Sequence, residues 1–302
     1  MSTQVSVKKV KTAGKPKNPR ILLLLVLPGL FYLGLFFITP FASLITTSLQ
    51  APVLGGGIGV YQPGLEFGNY VFVVTEYFDQ IVRSFVYATL ATLLALAISY
   101  PIAYFIGVKA RNKPVLQALL LTLVIAPFFI SFLLRTFAWK QVFSQNSWLS
   151  TLLRDLGLMA ENEFLLGSSF VVIFGLTYNF IPFMTLPLYT NLERLDTALL
   201  EAGSDLYAKP SSTFWKVTFP LSIPGITSGT LLTFIPIAGD FVTASGSFLG
   251  SPNTSMLGNV IEANYILIQD FPSASALSVL LMAVIVVLVS IYIRRTGTED
   301  LL

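Results

Sequence analysis

The stretch that decides the fold is Asp196-Thr197-Ala198-Leu199-Leu200-Glu201-Ala202-Gly203-Ser204-Asp205-Leu206-Tyr207-Ala208-Lys209-Pro210, with the residues that follow it to Pro224. Leu195, Leu199, Gly203 and Leu206 recur at helical spacing, and Asp196 is placed to cap the helix they predict. Pro210 breaks the pattern and suits the first turn of a second helix, where its missing N–H costs nothing. In that second helix Phe214, Val217 and Leu221 share one face, and Pro220 and Pro224 are expected to end it. Residues 190–221 thus read as a helix–turn–helix with apolar residues to bury. On these residues alone, an ordinary amphipathic connector and a docking element both fit.

What lies on either side of this loop is apolar. A bilayer core of about 30 Å takes about 20 mostly apolar residues in a helix. Six stretches are predicted to span: residues 21–48, 81–108, 115–138, 168–189, 222–248 and 273–293. Pro101, Pro127, Pro182 and Pro236 fall inside them, which membrane helices tolerate because neighbours re-satisfy the freed carbonyl. The first stretch follows Lys8, Lys9, Lys11, Lys15, Lys17 and Arg20, but its apolar run is longer than a signal-peptide core, so it is read as a retained helix. Charged residues make up 11% of the 302, against about 25% in a soluble domain. With a mean hydropathy of +0.77, a water-soluble globule is excluded. The chain reads as an all-α membrane protein: a basic tail over 1–20, one membrane domain over 21–295 and a short tail over 296–302.

Charge placement orients the spans. With the N-terminus in the cytoplasm, 14 of the 18 Lys and Arg fall inside, and only Arg83, Arg135, Lys140 and Arg154 fall outside. Both termini are therefore expected in the cytoplasm, as is the 190–221 loop. The outer side carries nine of the 15 acidic residues. That excess either steers cations or is the remainder left when basic residues are retained inside.

There is no Cys and no His, which removes thiol nucleophiles, disulfides and imidazole catalysis. Gly55-Gly56-Gly57 lacks the spacing of a phosphate loop and is expected to be a flexible turn. Residues 150–158 are expected to form a short outer helix ended at Gly157. Asp240 is the one clear acidic residue within the predicted spans, 18 residues past Ser222 or about 27 Å along a helix. It either receives an ammonium group from outside or caps a helix break beside Gly239. Thr243 shares its segment. Tyr178 and Asn179, mid-span, are further pathway candidates, since aromatic faces attract alkylammonium ions. Arg135 either pairs with an acid or snorkels, and Trp139 and Trp148 fit an interfacial belt.

Glu201-Ala202, Asp205-Leu206, Ala208, Phe214, Val217 and Pro220 resemble the EAA motif of ABC importer permeases of the type I, binding-protein-dependent family. The run from Arg135 to Trp139, Gly239-Asp240-Phe241-Val242-Thr243 and residues 249–254 resemble the spermidine/putrescine permeases, nearest the PotB type. Permeases for iron, opines and aminophosphonates look similar. The resemblance implies six transmembrane helices and a cytoplasmic coupling helix. Glu201, Ala202, Gly203, Asp205, Leu206, Ala208 and Phe214 would couple it to an ATPase dimer, with Phe214 and Pro220 holding the second arm against the spans. It implies a second related permease, an extracytoplasmic polyamine-binding protein, surrounding membrane lipid and no nucleic acid. ATP and Mg would be bound by the ATPase, with no cofactor or metal in this chain, which is not itself an enzyme. One position departs from the family: Tyr207 stands where glycine is usual, so the turn is expected to be either reshaped or strained.

Two other classes fit less well. An intramembrane aspartyl protease needs two facing carboxylates at depth, and the spans hold one near an edge. A secondary transporter usually shows repeated halves, and none is visible here.

Overall fold

Small residues recur on one face of the second predicted span, and the rest of the chain assembles on that face. Ser84, Ala88, Ala91, Ala95, Ser99 and Ala103 stand three or four apart and are fully buried, while Val86, Leu90, Leu93, Leu94 and Ile98 point outward. Lipid tails are as apolar as leucine, so membrane helices associate through close approach of small residues and buried hydrogen bonds. The computed structural model describes residues 19–160 and 162–296. The tails expected over 1–20 and 296–302 lie outside the described residues, apart from Pro19, Arg20 and Thr296.

Helix α1 starts at Pro19, and its apolar span is Leu24–Ser48. A short antiparallel hairpin follows, β1 (Ala51–Pro52) and β2 (Tyr61–Gln62), with Ala51 opposite Gln62. Then come α2 (Gly68–Glu76), α3 (Phe78–Lys109), α4 (Pro114–Phe129), α5 (Phe132–Val142), α6 (Trp148–Asp155) and α7 (Ser169–Glu193). The loop helices are α8 (Thr197–Asp205) and α9 (Pro210–Leu221); α10 (Ile223–Ala238), α11 (Leu257–Ile268) and α12 (Phe271–Arg294) complete the chain. Among the described residues four helices are long and apolar enough to cross a membrane, α1, α3, α7 and α12, and up to six spans result if the bent pairs α4–α5 and α9–α10 count as one each.

Helices α3, α7 and α10 form the centre. At one end Tyr87, Ala88 and Ala91 pack on Leu176, Phe180 and Ile237; at the other Ala95 and Ala103 pack on Met184, Leu188 and Leu192. Gly225 and Gly229 let α10 touch α7: a Cβ at Gly225 would lie 2.7 Å from Cβ of Asn191. Helix α12 lies to the side against α1, α2 and α11, with Val73, Leu257, Val260, Ala276 and Leu277 in a second core.

Several expectations are corrected. The third span is not continuous: α4 and α5 meet at 92°. Pro127 offers no N–H to the carbonyl four residues back, the chain tightens to a 3-10 turn over Ala126–Phe129, and Ile130 and Ser131 are extended. The fifth span ends at Ala238 rather than near residue 248, because Asp240 takes the N–H groups of Thr243 and Ala244 that a continuing helix would use. Pro220 does not end the second loop helix, which runs to Leu221 and bends by 60° into α10 at Ser222. Helices α2 and α11 are additions that the sequence reading left as loop. The outer helix expected over 150–158 is present as Trp148–Asp155, stopped by Gly157 at φ 67. The glycine cluster forms the hairpin turn, with Gly55 and Gly59 at positive φ.

Candidate functional site

Two regions carry the candidate residues. The first is the α8–α9 loop. Asp196 Oδ1 accepts from the N–H of Ala198 at 2.9 Å and so caps α8. The helix ends with Leu206 N–H donating to Ala202 and Ala208 N–H donating to Gly203 at 3.0 Å. That six-to-one closure puts the residue between them in the left-handed region, where glycine is preferred. Tyr207 occupies it at φ 54. The turn keeps its shape and the tyrosine bears the strain, which costs about 1 kcal/mol or more.

Gly203 makes its close approach inside the loop: a Cβ there would lie 2.8 Å from Oγ1 of Thr213 in α9. Phe214 packs edge-on against Tyr100 at 5.7 Å and Tyr104 at 5.8 Å, fastening α9 to α3. Tyr100 also meets Ser222 Oγ at 2.9 Å, at the bend into α10. Arg111 donates to the carbonyl of Leu195, and Gln117 Nε2 donates to Tyr189 and Glu193, so the α3–α4 corner grips the root of the loop. With its base fixed, the loop turns Glu201, Ala202, Asp205, Leu206 and Tyr207 outward, while Ala208 and Phe214 are half-buried. Charged side chains around an exposed apolar turn suit a protein surface better than lipid.

The second region is polar and buried. Asn179 donates from Nδ2 to Thr136 Oγ1 of α5 at 3.1 Å, and its Oδ1 has no partner among the described residues. Tyr178, next to it, also reaches α5: its ring meets Trp139 at 5.2 Å and lines a cleft of about 490 Å³ with Pro101, Ile102, Phe105 and Leu123. Asp240 and Thr243 sit together in the turn after α10, with Thr243 against α7 at Gly175, where a Cβ would lie 2.9 Å from Thr243 Cγ2. Asp240 Oδ1 accepts from Thr243 N–H at 2.8 Å and Ala244 N–H at 3.2 Å, and Oδ2 accepts from Thr243 Oγ1 at 3.0 Å. Burial pushes its pKa up to about 6, against the pull of these three hydrogen bonds. The carboxylate therefore serves as the cap of a helix break in this conformation.

Arg135 has no ion-pair partner among the described residues. It is buried, with its guanidinium 5.9 Å from the Phe132 ring centre and no partner for Nε or Nη1 among the described residues. Trp139 joins Phe143, Phe174 and Tyr178 in an aromatic cluster, whereas Trp148 is exposed. A second groove of about 610 Å³ runs between α7 and α10 and is lined by Phe183, Pro187, Asn191, Gly225 and Leu232. Sequence reasoning missed this groove, although Gly225 and Gly229, four apart, mark the helix contact beneath it. It also missed Arg83 and Lys140, which hold the carbonyls of Ser255 and Ser247 and pin the turn that carries Asp240. Among the described residues no group of acidic side chains is arranged to hold a metal ion.

Residues 72–295 match the family model described as "Binding-protein-dependent transport system inner membrane component". The chain is similar to the spermidine/putrescine transport system permease protein PotB of Haemophilus influenzae, 34% identical over 239 residues, covering 79% of this chain and 82% of that one. It is also similar to PotB of Escherichia coli (strain K12), 35% identical over 220 residues, covering 73% and 78%. Among solved structures it resembles a chain of a bacterial alginate ABC transporter in complex with alginate pentasaccharide-bound periplasmic protein. The TM-score is 0.67 at 14% identity, covering 93% of this chain and 95% of that one, a likeness of fold alone.

Proposed function

This chain belongs to the binding-protein-dependent transport system inner membrane components, and from that premise we propose that it lines the pathway by which an ATP-driven importer brings polyamines, spermidine or putrescine, into a bacterial cell. It is an ABC importer permease subunit, a non-catalytic membrane component and not a secondary transporter. The substrate is carried by one observation: identity of 34–35% to spermidine/putrescine permeases across about three quarters of the chain.

The remaining parts follow the same logic. The chain pairs with a second, related permease and places both termini in the cytoplasm. A polyamine-binding protein delivers substrate to the outer loops. The α8–α9 loop meets a cytoplasmic ATPase dimer that binds ATP and Mg, and Glu201, Ala202, Gly203, Asp205, Leu206, Ala208 and Phe214 transmit its closure. ATP then biases a two-state switch of the spans between inward and outward access. Phe214 supports this route, since its contacts with Tyr100 and Tyr104 would pass a movement of α9 to α3. Tyr178, Asn179, Asp240 and Thr243 are the pathway candidates, and Asp240 requires its turn to open before a cation reaches it.

The test is uptake of labelled spermidine and putrescine by cells lacking this chain, complemented with wild type or Glu201→Ala. Wild type should restore uptake, and Glu201→Ala should weaken it. No restoration with either polyamine removes the substrate assignment, and iron chelates, opines and aminophosphonates would be assayed next.

A further inference from the structure

The most exposed large side chain in the cytoplasmic loop is also the most strained. Tyr207 is 98% exposed at φ 54, and its neighbour Leu206 is 80% exposed. The Tyr207 ring stacks on no other ring and its hydroxyl makes no hydrogen bond among the described residues. Within its own chain the side chain therefore contributes strain and nothing that offsets it. Glycine would close the same turn without strain, because the two closing hydrogen bonds come from backbone groups of Leu206 and Ala208. The compensation lies outside the chain.

The surroundings say what kind of surface supplies it. Tyr207 and Leu206 form a convex apolar tip, flanked by the exposed side chains of Glu201, Asp205 and Lys209. An apolar centre with a charged rim is the make-up of a protein interface, and tyrosine brings large contact area at low entropy cost. The inner leaflet is a poor alternative, since its negative surface potential repels Glu201 and Asp205. The base is rigid, with Gly203 against Thr213 and Phe214 against two tyrosines of α3, so the ring is presented pre-positioned.

We propose that Tyr207, with Leu206, is an aromatic anchor that fits an apolar pocket on the ATPase subunit and helps this permease select its own ATPase. The proposal rests on the reading that the α8–α9 loop meets that subunit. The two closing backbone hydrogen bonds keep the ring at the apex of the turn against that strain.

The two claims separate in one experiment. The tagged chain is co-expressed with its second permease and its ATPase, purified in detergent, and scored for bound ATPase and for thermal melting. Tyr207→Gly should weaken ATPase binding about tenfold while leaving the melting temperature unchanged or higher, and Tyr207→Phe should restore binding to within about twofold. A loop variant carrying Glu201→Ala and Asp205→Ala reports on the underlying reading. If that variant loses ATPase while Tyr207→Gly binds like wild type, the anchor is overturned and the coupling loop stands. If all variants bind like wild type, the coupling reading falls and the anchor with it. Tyr207→Gly that binds like wild type, together with quenching by brominated lipid of a fluorophore placed at position 207 in proteoliposomes, would assign the ring to the membrane instead.

Discussion

Thr243 holds Asp240 twice, its N–H on Oδ1 at 2.8 Å and its hydroxyl on Oδ2 at 3.0 Å. One residue thus occupies both oxygens of a carboxylate that is also a candidate to meet a cation, and substitution can separate the two roles. Asn keeps an oxygen for the backbone N–H groups and offers an NH2 to the threonine hydroxyl, so Asp240→Asn should cost less than about 1 kcal/mol of stability. Asp240→Ala abandons three bonds and should cost about 3 kcal/mol. If the charge serves transport, Asp240→Asn assembles normally yet takes up polyamine poorly; wild-type uptake would confine the residue to its capping role.

The same carboxylate predicts opposite trends with pH. Its pKa is raised to about 6 by burial, so the fold favours the protonated form. That contribution is complete below the ordinary value of 3.8 and is lost as pH rises through about 6. If Asp240 meets the cation, uptake needs the ionised form and should fall as pH drops through about 6. Proteoliposomes carrying the complex should show melting and uptake moving in opposite directions, with Asp240→Asn flat in both. Parallel trends would argue against a titrating Asp240.

Gly225 and Gly229 set the distance between α10 and α7. A Cβ at Gly225 would meet Cβ of Asn191 at 2.7 Å and the carbonyl of Pro187 at 3.2 Å, and one at Gly229 would meet Sδ of Met184 at 2.8 Å. The methionine Sδ can swing away, but the Met184 carbonyl, 3.0 Å from the same Cβ, cannot, and neither can the Pro187 carbonyl at Gly225. Gly225→Ala and Gly229→Ala should therefore each destabilise by about 1–3 kcal/mol. Melting of the two variants in detergent measures this, and wild-type melting would show that the contact yields freely.

Most of the spans were legible because length and apolar content are enough to mark a bilayer crossing. The break at Pro127 was not, because Pro101, Pro182 and Pro236 stand in spans that stay helical. What differs is tertiary: Thr136, beyond the break, is tied to Asn179 of α7, which draws α5 off the axis of α4. The end of the fifth span was legible and was read through. Asp240 followed by Thr243 is a side chain three residues before the N–H it caps. The coupling loop stood out because its motif is local, whereas the burial of Arg135 depends on partners distant in sequence.

Arg135 presents a charge that the described residues do not balance, with Nε and Nη1 both bare. A buried ion without a partner destabilises its surroundings, and an apolar residue of similar length removes that penalty. Arg135→Met should raise the stability of the isolated chain by about 1 kcal/mol or more, read as a higher melting temperature in detergent. A lower one would mean that the guanidinium is already satisfied.

Tyr100 and Ser222 meet where α9 bends into α10. Ser222 Oγ donates to the carbonyl of Phe219 at 2.7 Å, so the tyrosine hydroxyl is the donor in its 2.9 Å contact with Ser222. Tyr100→Phe keeps the ring against Phe214 and Phe219 and removes one hydrogen bond, a loss of about 1 kcal/mol. Because that bond ties the bend to α3, its loss should loosen transmission rather than docking. ATPase should remain bound at the wild-type level, while polyamine taken up per ATP hydrolysed in proteoliposomes should fall about fivefold, the factor that corresponds to about 1 kcal/mol. An unchanged ratio would mean that the bend moves as a rigid body with α3, held by its aromatic contacts alone.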